Sequence, residues 1–147
     1  MRTTLIKLSI ALFLFFLVDF LKPFGFYFCS EFLFLGILFV SLNLAFLYSF
    51  GFAFVFGLFK DLFPPQSLLF YTFSFVLINM FLRLTLKYFH GRSIIKNLVV
   101  GLAIIFYALL NSIEVGQILP SLIFSFFMQS LLVFFIMERF LLKWVTD

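Results

Sequence analysis

The sequence predicts an all-α membrane protein, a polytopic transmembrane bundle of six helices in a single integral membrane domain that covers residues 1–147. Apolar side chains make up 65% of the chain and charged side chains 11%. A water-soluble protein of this composition would be covered in exposed hydrophobic surface. Windows without charge follow one another at 32–59, 62–82, 97–113 and 115–137. They are apolar on every face, which favours helices over the alternating strands of a barrel.

The first predicted helix runs from Leu8 to Leu21 and is interrupted only by Asp19. Arg2 and Lys7 precede its apolar stretch, as basic residues precede the apolar region of a signal peptide. No small-x-small cleavage pattern follows, so we expect an uncleaved first helix.

The second and third helices are predicted from one uncharged run of 28 residues, 32–59. A single helix of that length would measure about 42 Å, against a hydrocarbon core of roughly 30 Å. The run must therefore turn back, and we expect a tight turn around Tyr48-Ser49-Phe50-Gly51, where Gly51 tolerates unusual backbone angles. The third helix is then short, at about 21 Å. It is expected to be tilted, broken or shielded from lipid by its neighbours.

The remaining helices follow the turn that Pro64-Pro65 marks, since proline cannot continue a helix. The six predicted spans are Leu8 to Leu21, Phe32 to Tyr48, Phe50 to Phe63, Ser67 to Leu82, Asn97 to Ile113, and Pro120 to Met137.

Basic residues predict the orientation of this bundle, because cytoplasmic loops carry an excess of lysine and arginine. With the amino terminus inside, eight basic residues fall on the inner side and only Lys22 and Lys60 on the outer side. The inner eight are Arg2, Lys7, Arg83, Lys87, Arg92, Lys96, Arg139 and Lys143. Both termini are therefore expected in the cytoplasm.

Small residues form a candidate contact face on the third helix. Ser49, Ala53, Gly57 and Asp61 lie four residues apart, so they share one helical face that ends in a carboxylate, with Gly51 nearby. Membrane helices use small residues where their backbones approach closely. We expect this face to pack against another helix, either in the same chain or in a partner.

Rows of polar residues on other spans admit two interpretations. They could line a small cavity for a polar ligand, or they could form hydrogen bonds between helices, the commoner use of amides and hydroxyls in bundles. The residues concerned are Asn43, Tyr107, Asn111, Ser121, Ser125 and Gln129.

Charged residues near the span ends have a simple expected role as interfacial pairs. Asp19 and Asp61 have Lys22 and Lys60 close by in sequence, which suggests local neutralisation or, alternatively, a binding surface. Glu138 directly precedes Arg139, and an ion pair at the membrane interface would explain it.

Catalytic motifs are not evident in the sequence. His90 is the single histidine, has no adjacent acid or metal-ligand set, and lies in the predicted basic inner loop. Cys29 is the single cysteine and cannot form an intrachain disulfide. We therefore expect no enzyme activity, no metal, no cofactor and no nucleic-acid partner, with the net charge of +4 explained by topology.

The order of these features resembles the MreD family of rod shape-determining membrane proteins. The resemblance covers size and six spans over the whole chain, and as a motif it covers residues 51–62, with Gly51-Phe52, Gly57-Leu58-Phe59 and Asp61. The family often has a further glycine-containing turn after the aspartate, whereas this chain reads Phe63-Pro64-Pro65-Gln66-Ser67.

The resemblance implies a non-enzymatic scaffold of the cell-elongation complex in the bacterial inner membrane. Such proteins bind the single-span MreC protein and help to link MreB filaments to peptidoglycan synthases. The family's six-helix arrangement is also similar to that of substrate-binding subunits of energy-coupling-factor vitamin transporters. Vitamin transport is therefore the alternative expectation.

Overall fold

The computed structural model describes residues 2–21, 31–62, 69–88, 93–115 and 120–146. Over these ranges the chain is all helical and contains no β-strand, which confirms the predicted fold class at this level. The helices are α1 (Arg2–Leu21), α2 (Phe32–Asn43), α3 (Phe46–Leu62), α4 (Phe70–Tyr88), α5 (Ser93–Val115) and α6 (Pro120–Thr146). The predicted turn at Pro64-Pro65, together with Lys22, Cys29 and His90, lies outside the described residues.

Four of the described helices contain stretches that are long and apolar enough to cross a membrane. These stretches are Thr3–Leu21, Phe70–Tyr88, Ile95–Ser112 and Pro120–Val145. This length and composition are typical of a multi-pass membrane protein.

Contacts between helix ends show that α1 and α2, and likewise α3 and α4, run in opposite directions. The end of α1 contacts the start of α2 through Asp19, and the end of α3 contacts the start of α4 through Asp61. We call this side of the bundle the capped end. At the opposite end, Lys7 near the start of α1 contacts Trp144 near the end of α6.

The short helix α2 lies at the centre of the bundle. It has 12 residues, about 18 Å in length, and every residue from Leu33 to Ser41 is buried. Helices α1, α3, α4 and α6 all pack against it. A helix that is apolar all round belongs in a core, and neighbouring helices shield α2 from lipid, so it need not match the bilayer thickness. The third helix was expected to be the short one, but the short, shielded helix is α2.

The turn between α2 and α3 lies earlier than the sequence predicted. Helix α2 ends at Asn43, Leu44 has an extended backbone with φ −100° and ψ 161°, and α3 begins at Phe46. The prediction of a turn at residues 48–51 was wrong, because those residues lie inside α3. The observed turn needs no glycine, since any residue adopts the extended conformation of Leu44. Helix α3 consequently has 17 residues.

An aromatic layer joins four helices just inside the capped end. Phe34 of α2 stacks on Tyr107 of α5, with 3.9 Å between ring centroids and 10° between ring planes. Phe75 of α4 and Phe126 of α6 lie 6.0 and 6.1 Å from the Tyr107 ring. Aromatic pairs of this kind contribute about 0.5–1.5 kcal/mol each beyond the area they bury. The layer fixes the relative depth of the four helices.

Candidate functional site

The carboxylate of Asp61 caps the start of α4 from the end of α3. Its Oδ1 accepts a hydrogen bond from the Tyr71 backbone N–H at 2.8 Å, and its Oδ2 accepts one from the Thr72 N–H at 2.9 Å. The Thr72 hydroxyl donates a third bond to Oδ2 at 2.6 Å. The first N–H groups of a helix have no partner within the helix, and a negative charge there also favours the helix dipole. Asp61 therefore stabilises α4 and joins it to α3.

Asp19 has the same role at the start of α2. Its two carboxylate oxygens accept hydrogen bonds from the backbone N–H groups of Phe32, at 2.9 Å, and Leu33, at 2.8 Å. Glu31 occupies the position where a residue of the helix itself would cap, but its own side chain makes no capping bond to α2. A carboxylate from the preceding helix thus replaces the local cap.

The side chain of Glu31 is free to bind elsewhere and joins three helices. It forms an ion pair with Lys60 at the end of α3 and accepts a hydrogen bond from the hydroxyl of Tyr107 on α5. The Glu31 and Lys60 side chains are only 19% and 13% exposed. The Lys60 ammonium also lies 4.2 Å from the centroid of the Tyr71 ring, a favourable cation–π contact. We call Asp19, Glu31, Lys60, Asp61 and Tyr107 the polar cluster.

The polar cluster is suited to holding helix ends together within a membrane. Each carboxylate in it binds backbone amides or an opposite charge, which reduces the cost of placing ionisable groups near a hydrocarbon core. The lysine was expected to neutralise the neighbouring Asp61, yet it pairs with Glu31. Asp61 instead binds the amides of α4, because its side chain points towards the helix that follows.

The predicted contact face on α3 is largely buried within the chain. Ser49, Ala53 and Gly57 are buried, and Asp61 is partly exposed at the end of the row. A Cβ placed on Gly57 would lie 2.5 Å from the Thr72 Cα, so α3 and α4 come into backbone contact there. Gly51 differs, since a Cβ at that position would meet no atom within 4 Å.

The predicted polar rows do not assemble into a common site in the described residues. Asn43 and Ser121 are exposed, and the Asn43 amide donates to the Phe39 carbonyl of its own helix at 2.9 Å. Gln129 donates to the Ser125 hydroxyl at 3.4 Å on α6. Only Tyr107 is fully buried, and it belongs to the polar cluster.

Sequence reasoning missed two kinds of residue. It did not single out Glu31, although an acidic residue directly before an uncharged run is a typical signal of a helix start. It also missed Asn79 in the middle of α4, which is fully buried and whose amide has no hydrogen-bond partner among the described residues. Ser41, Ser74 and Ser130 are likewise fully buried, and their hydroxyls have no hydrogen-bond partner there.

The opposite end of the bundle holds α5, α6 and α1 together. Lys96 of α5 forms an ion pair with Glu138 of α6, so the expected pairing of Glu138 with Arg139 was wrong. Arg139 follows Glu138 directly on the helix, and adjacent residues do not face each other. Lys7 Nζ donates to the Trp144 carbonyl at 2.9 Å and lies 5.7 Å from the Trp144 ring centroid.

Comparisons with known proteins identify no relative of this chain. No family model, no curated protein and no solved structure matches it.

Proposed function

We propose that this chain is a non-enzymatic scaffold of the MreD type in the bacterial inner membrane. In this proposal it binds a single-span MreC-like protein and helps to couple MreB filaments to peptidoglycan synthases during rod-shaped growth. The observation that carries the proposal is that the charged side chains of the polar cluster are occupied by contacts within the bundle. They bind helix amides or one another, which is the chemistry of a rigid bundle that presents its outer surface to other proteins.

The proposal includes an orientation with both termini in the cytoplasm. The contact between Lys7 and Trp144 supports it, because it brings the first and last helices together at one end of the bundle. Lys87 and Lys96 belong to the same end, at the finish of α4 and the start of α5. An excess of basic residues marks the cytoplasmic side.

The partner in this proposal contacts the outer surface of the bundle. Ser49, Ala53 and Gly57 are occupied by packing inside the chain. Helix α6 presents exposed apolar side chains to a single-span partner, with Leu132 and Phe124 at least 60% exposed. Exposed apolar surface of this kind is available to another membrane helix.

Depletion and co-purification test the proposal together. Depleting the protein in its native host should turn rods into spheres, and the tagged chain should co-purify from membranes with an MreC-like single-span protein. Leu132→Ala, which changes only exposed surface, should weaken co-purification while leaving the amount of folded protein unchanged. Rods that keep their shape, with no MreC-like protein recovered, would contradict the proposal.

A second candidate is the substrate-binding subunit of a vitamin transporter. The observation that favours it is the set of fully buried polar groups that have no hydrogen-bond partner among the described residues, namely Ser41, Ser74, Asn79 and Ser130. Buried polar groups without partners are rare and often mark binding sites. Asn79 lies one helical turn after Phe75 on α4, and Ser130 lies one helical turn after Phe126 on α6. Both are therefore farther from the capped end than the aromatic layer.

Vitamin binding by the purified chain distinguishes the two candidates. A transporter subunit should bind one water-soluble vitamin tightly and lose that binding in Asn79→Leu. A scaffold should bind none, and Asn79→Leu should be at least as stable as the wild type, because it removes an unpaired buried amide.

A further inference from the structure

A groove opens between the first and last helices on the outer surface of the bundle. It encloses about 520 Å³, and its walls are almost entirely apolar. Ala11, Leu14 and Phe15 line it from α1, and Met137, Phe140 and Trp144 line it from α6. Ala11 and Met137 are buried, whereas Leu14 is 54% and Phe140 76% exposed. The groove is therefore deep at its floor and open on one side.

A cation lies at one end of this groove. Lys7 precedes Ala11 by four residues and Leu14 by seven, so its side chain extends from the same face of α1 as the groove wall. The ammonium lies 5.7 Å from the ring of Trp144, which lines the groove. A lysine beside a tryptophan near a helix end is the usual arrangement at a membrane interface.

The positive charge of Lys7 is not neutralised by a carboxylate within the described residues. The ion pairs found there join Lys60 to Glu31 and Lys96 to Glu138. Lys7 donates instead to a neutral carbonyl, that of Trp144. The groove thus combines a long apolar slot with a cation at its end, a charge pattern complementary to an anionic lipid.

We propose that the groove between α1 and α6 binds an anionic phospholipid, with one acyl chain in the slot and the headgroup phosphate at Lys7. Hydrocarbon fills apolar grooves through dispersion contacts alone. An anionic lipid surface attracts basic side chains of a protein by about 1 kcal/mol for each lysine or arginine, which corresponds to a factor of about five in affinity.

The side chains of the groove favour an acyl chain over a partner helix. Membrane helices approach each other at small residues, and only Ala11 among the lining residues named above is small. Phe15, Phe140 and Trp144 would hold a second helix away from the floor, whereas a flexible chain can follow the space between their rings. This inference is independent of the proposed scaffold role.

Lipid titration of the full-length chain tests the proposal. The protein is purified in a neutral detergent and titrated with phosphatidylglycerol or phosphatidylcholine of identical acyl chains, and bound lipid is counted by native mass spectrometry. The wild type should bind phosphatidylglycerol about fivefold more tightly. Lys7→Gln should reduce that preference to about one. Lys87→Gln is the matched control, because it removes a lysine from α4, which does not line the groove, and it should keep the preference.

A second variant tests the slot itself. Leu14 is half exposed, so Leu14→Trp should fill the groove without disturbing the core, and it should weaken the binding of both lipids. Equal affinities of the wild type for the two lipids would overturn the proposal, as would a preference that survives in Lys7→Gln. Dimers that Leu14→Trp dissociates would show that a second copy of the chain occupies the groove instead.

Discussion

The two hairpins α1–α2 and α3–α4 are closed by the same kind of aspartate cap and glycine contact, but they differ in how much space each glycine has. In each, an aspartate near the end of the first helix accepts hydrogen bonds from two successive backbone amides at the start of the second. In each, a buried glycine lies where the two helices approach. The aspartates are Asp19 and Asp61, and the glycines are Gly36 and Gly57.

The hairpins differ in what each glycine meets. A Cβ at Gly36 would lie 2.6 Å from Leu12 Cδ2, the end of a side chain that can move. A Cβ at Gly57 would lie 2.5 Å from the Cα of Thr72, a backbone atom that can move only with α4 itself. The comparison teaches that one hairpin is adjustable and the other is rigid, although their caps look alike.

Gly57→Ala should have the largest effect on stability. The added methyl group forces α3 and α4 apart, and we expect a loss of about 3 kcal/mol in the free energy of unfolding, measured by denaturant titration in mixed micelles. Gly36→Ala should cost about 1 kcal/mol, because Leu12 can shift. Gly51→Ala is the matched control on the same helix as Gly57 and should be neutral or slightly stabilising.

Equal losses for the Gly36 and Gly57 variants would remove the distinction between an adjustable and a rigid hairpin. A neutral Gly57→Ala would show that α3 and α4 are not in backbone contact.

Lys60→Met should have the next largest effect, because it separates the two hairpins at the capped end. Glu31 on α2 would lose its ion-pair partner while remaining mostly shielded from solvent, at a cost of about 2 kcal/mol. Lys96→Met breaks the other ion pair, whose lysine is 35% exposed, and should cost less than about 1 kcal/mol. Thermal unfolding of both variants in detergent would measure the difference.

The double variant Glu31→Gln with Lys60→Met serves as the control for this pair. It should recover part of the loss, since no unpaired charge remains. If the double variant is as unstable as the sum of the two single variants, the hairpins are not joined through this pair.

The caps themselves should differ slightly in strength. Asp61→Ala should cost about 1.5 kcal/mol and Asp19→Ala about 1 kcal/mol, since capping bonds are typically of this size and only Asp61 also binds a hydroxyl. Thr72→Val removes that hydroxyl alone and should cost about 0.5 kcal/mol. Equilibrium unfolding of the three variants would test this ranking, and a larger loss for Asp19→Ala would reverse it.

Leu69→Gly should have a small effect and, unlike the variants above that break contacts, should be stabilising. Leu69 precedes α4 with a φ of 63°, a left-handed conformation that costs a non-glycine residue free energy. The side chain is 51% exposed, so little packing is lost. We expect a gain of about 0.5 kcal/mol after the greater chain entropy of glycine is included. A clear loss of stability would show that the Leu69 side chain contributes contacts that outweigh this strain.

The sequence was sufficient to predict an all-helical fold, because long uncharged windows form few stable structures other than helices in a bilayer. It was not sufficient to locate the turn between α2 and α3. No charge marks that turn within residues 32–59, and the serine and glycine at positions 49 and 51 favoured the wrong place. Leu44, which forms the actual turn, has no special turn propensity.

The candidate site was only partly predictable for a related reason. The spacing of Ser49, Ala53, Gly57 and Asp61 indicated a helix face, but spacing within one helix does not identify the neighbour that the face meets. The two caps also depend on packing between helices, because the amides that they bind lie 13 and 14 residues after Asp19 and 10 and 11 residues after Asp61. Glu31 and Tyr107 are 76 residues apart, and only the packing of α5 against the core brings them together.

Amide hydrogen exchange at the starts of α2 and α4 tests most directly the claim that each hairpin is closed by its own aspartate. The amides of Phe32 and Leu33, and those of Tyr71 and Thr72, should be protected in the wild type. Asp61→Ala should speed exchange at Tyr71 and Thr72 only, and Asp19→Ala at Phe32 and Leu33 only. Unchanged exchange at these four amides, or simultaneous loss of protection at both helix starts in either variant, would contradict the claim.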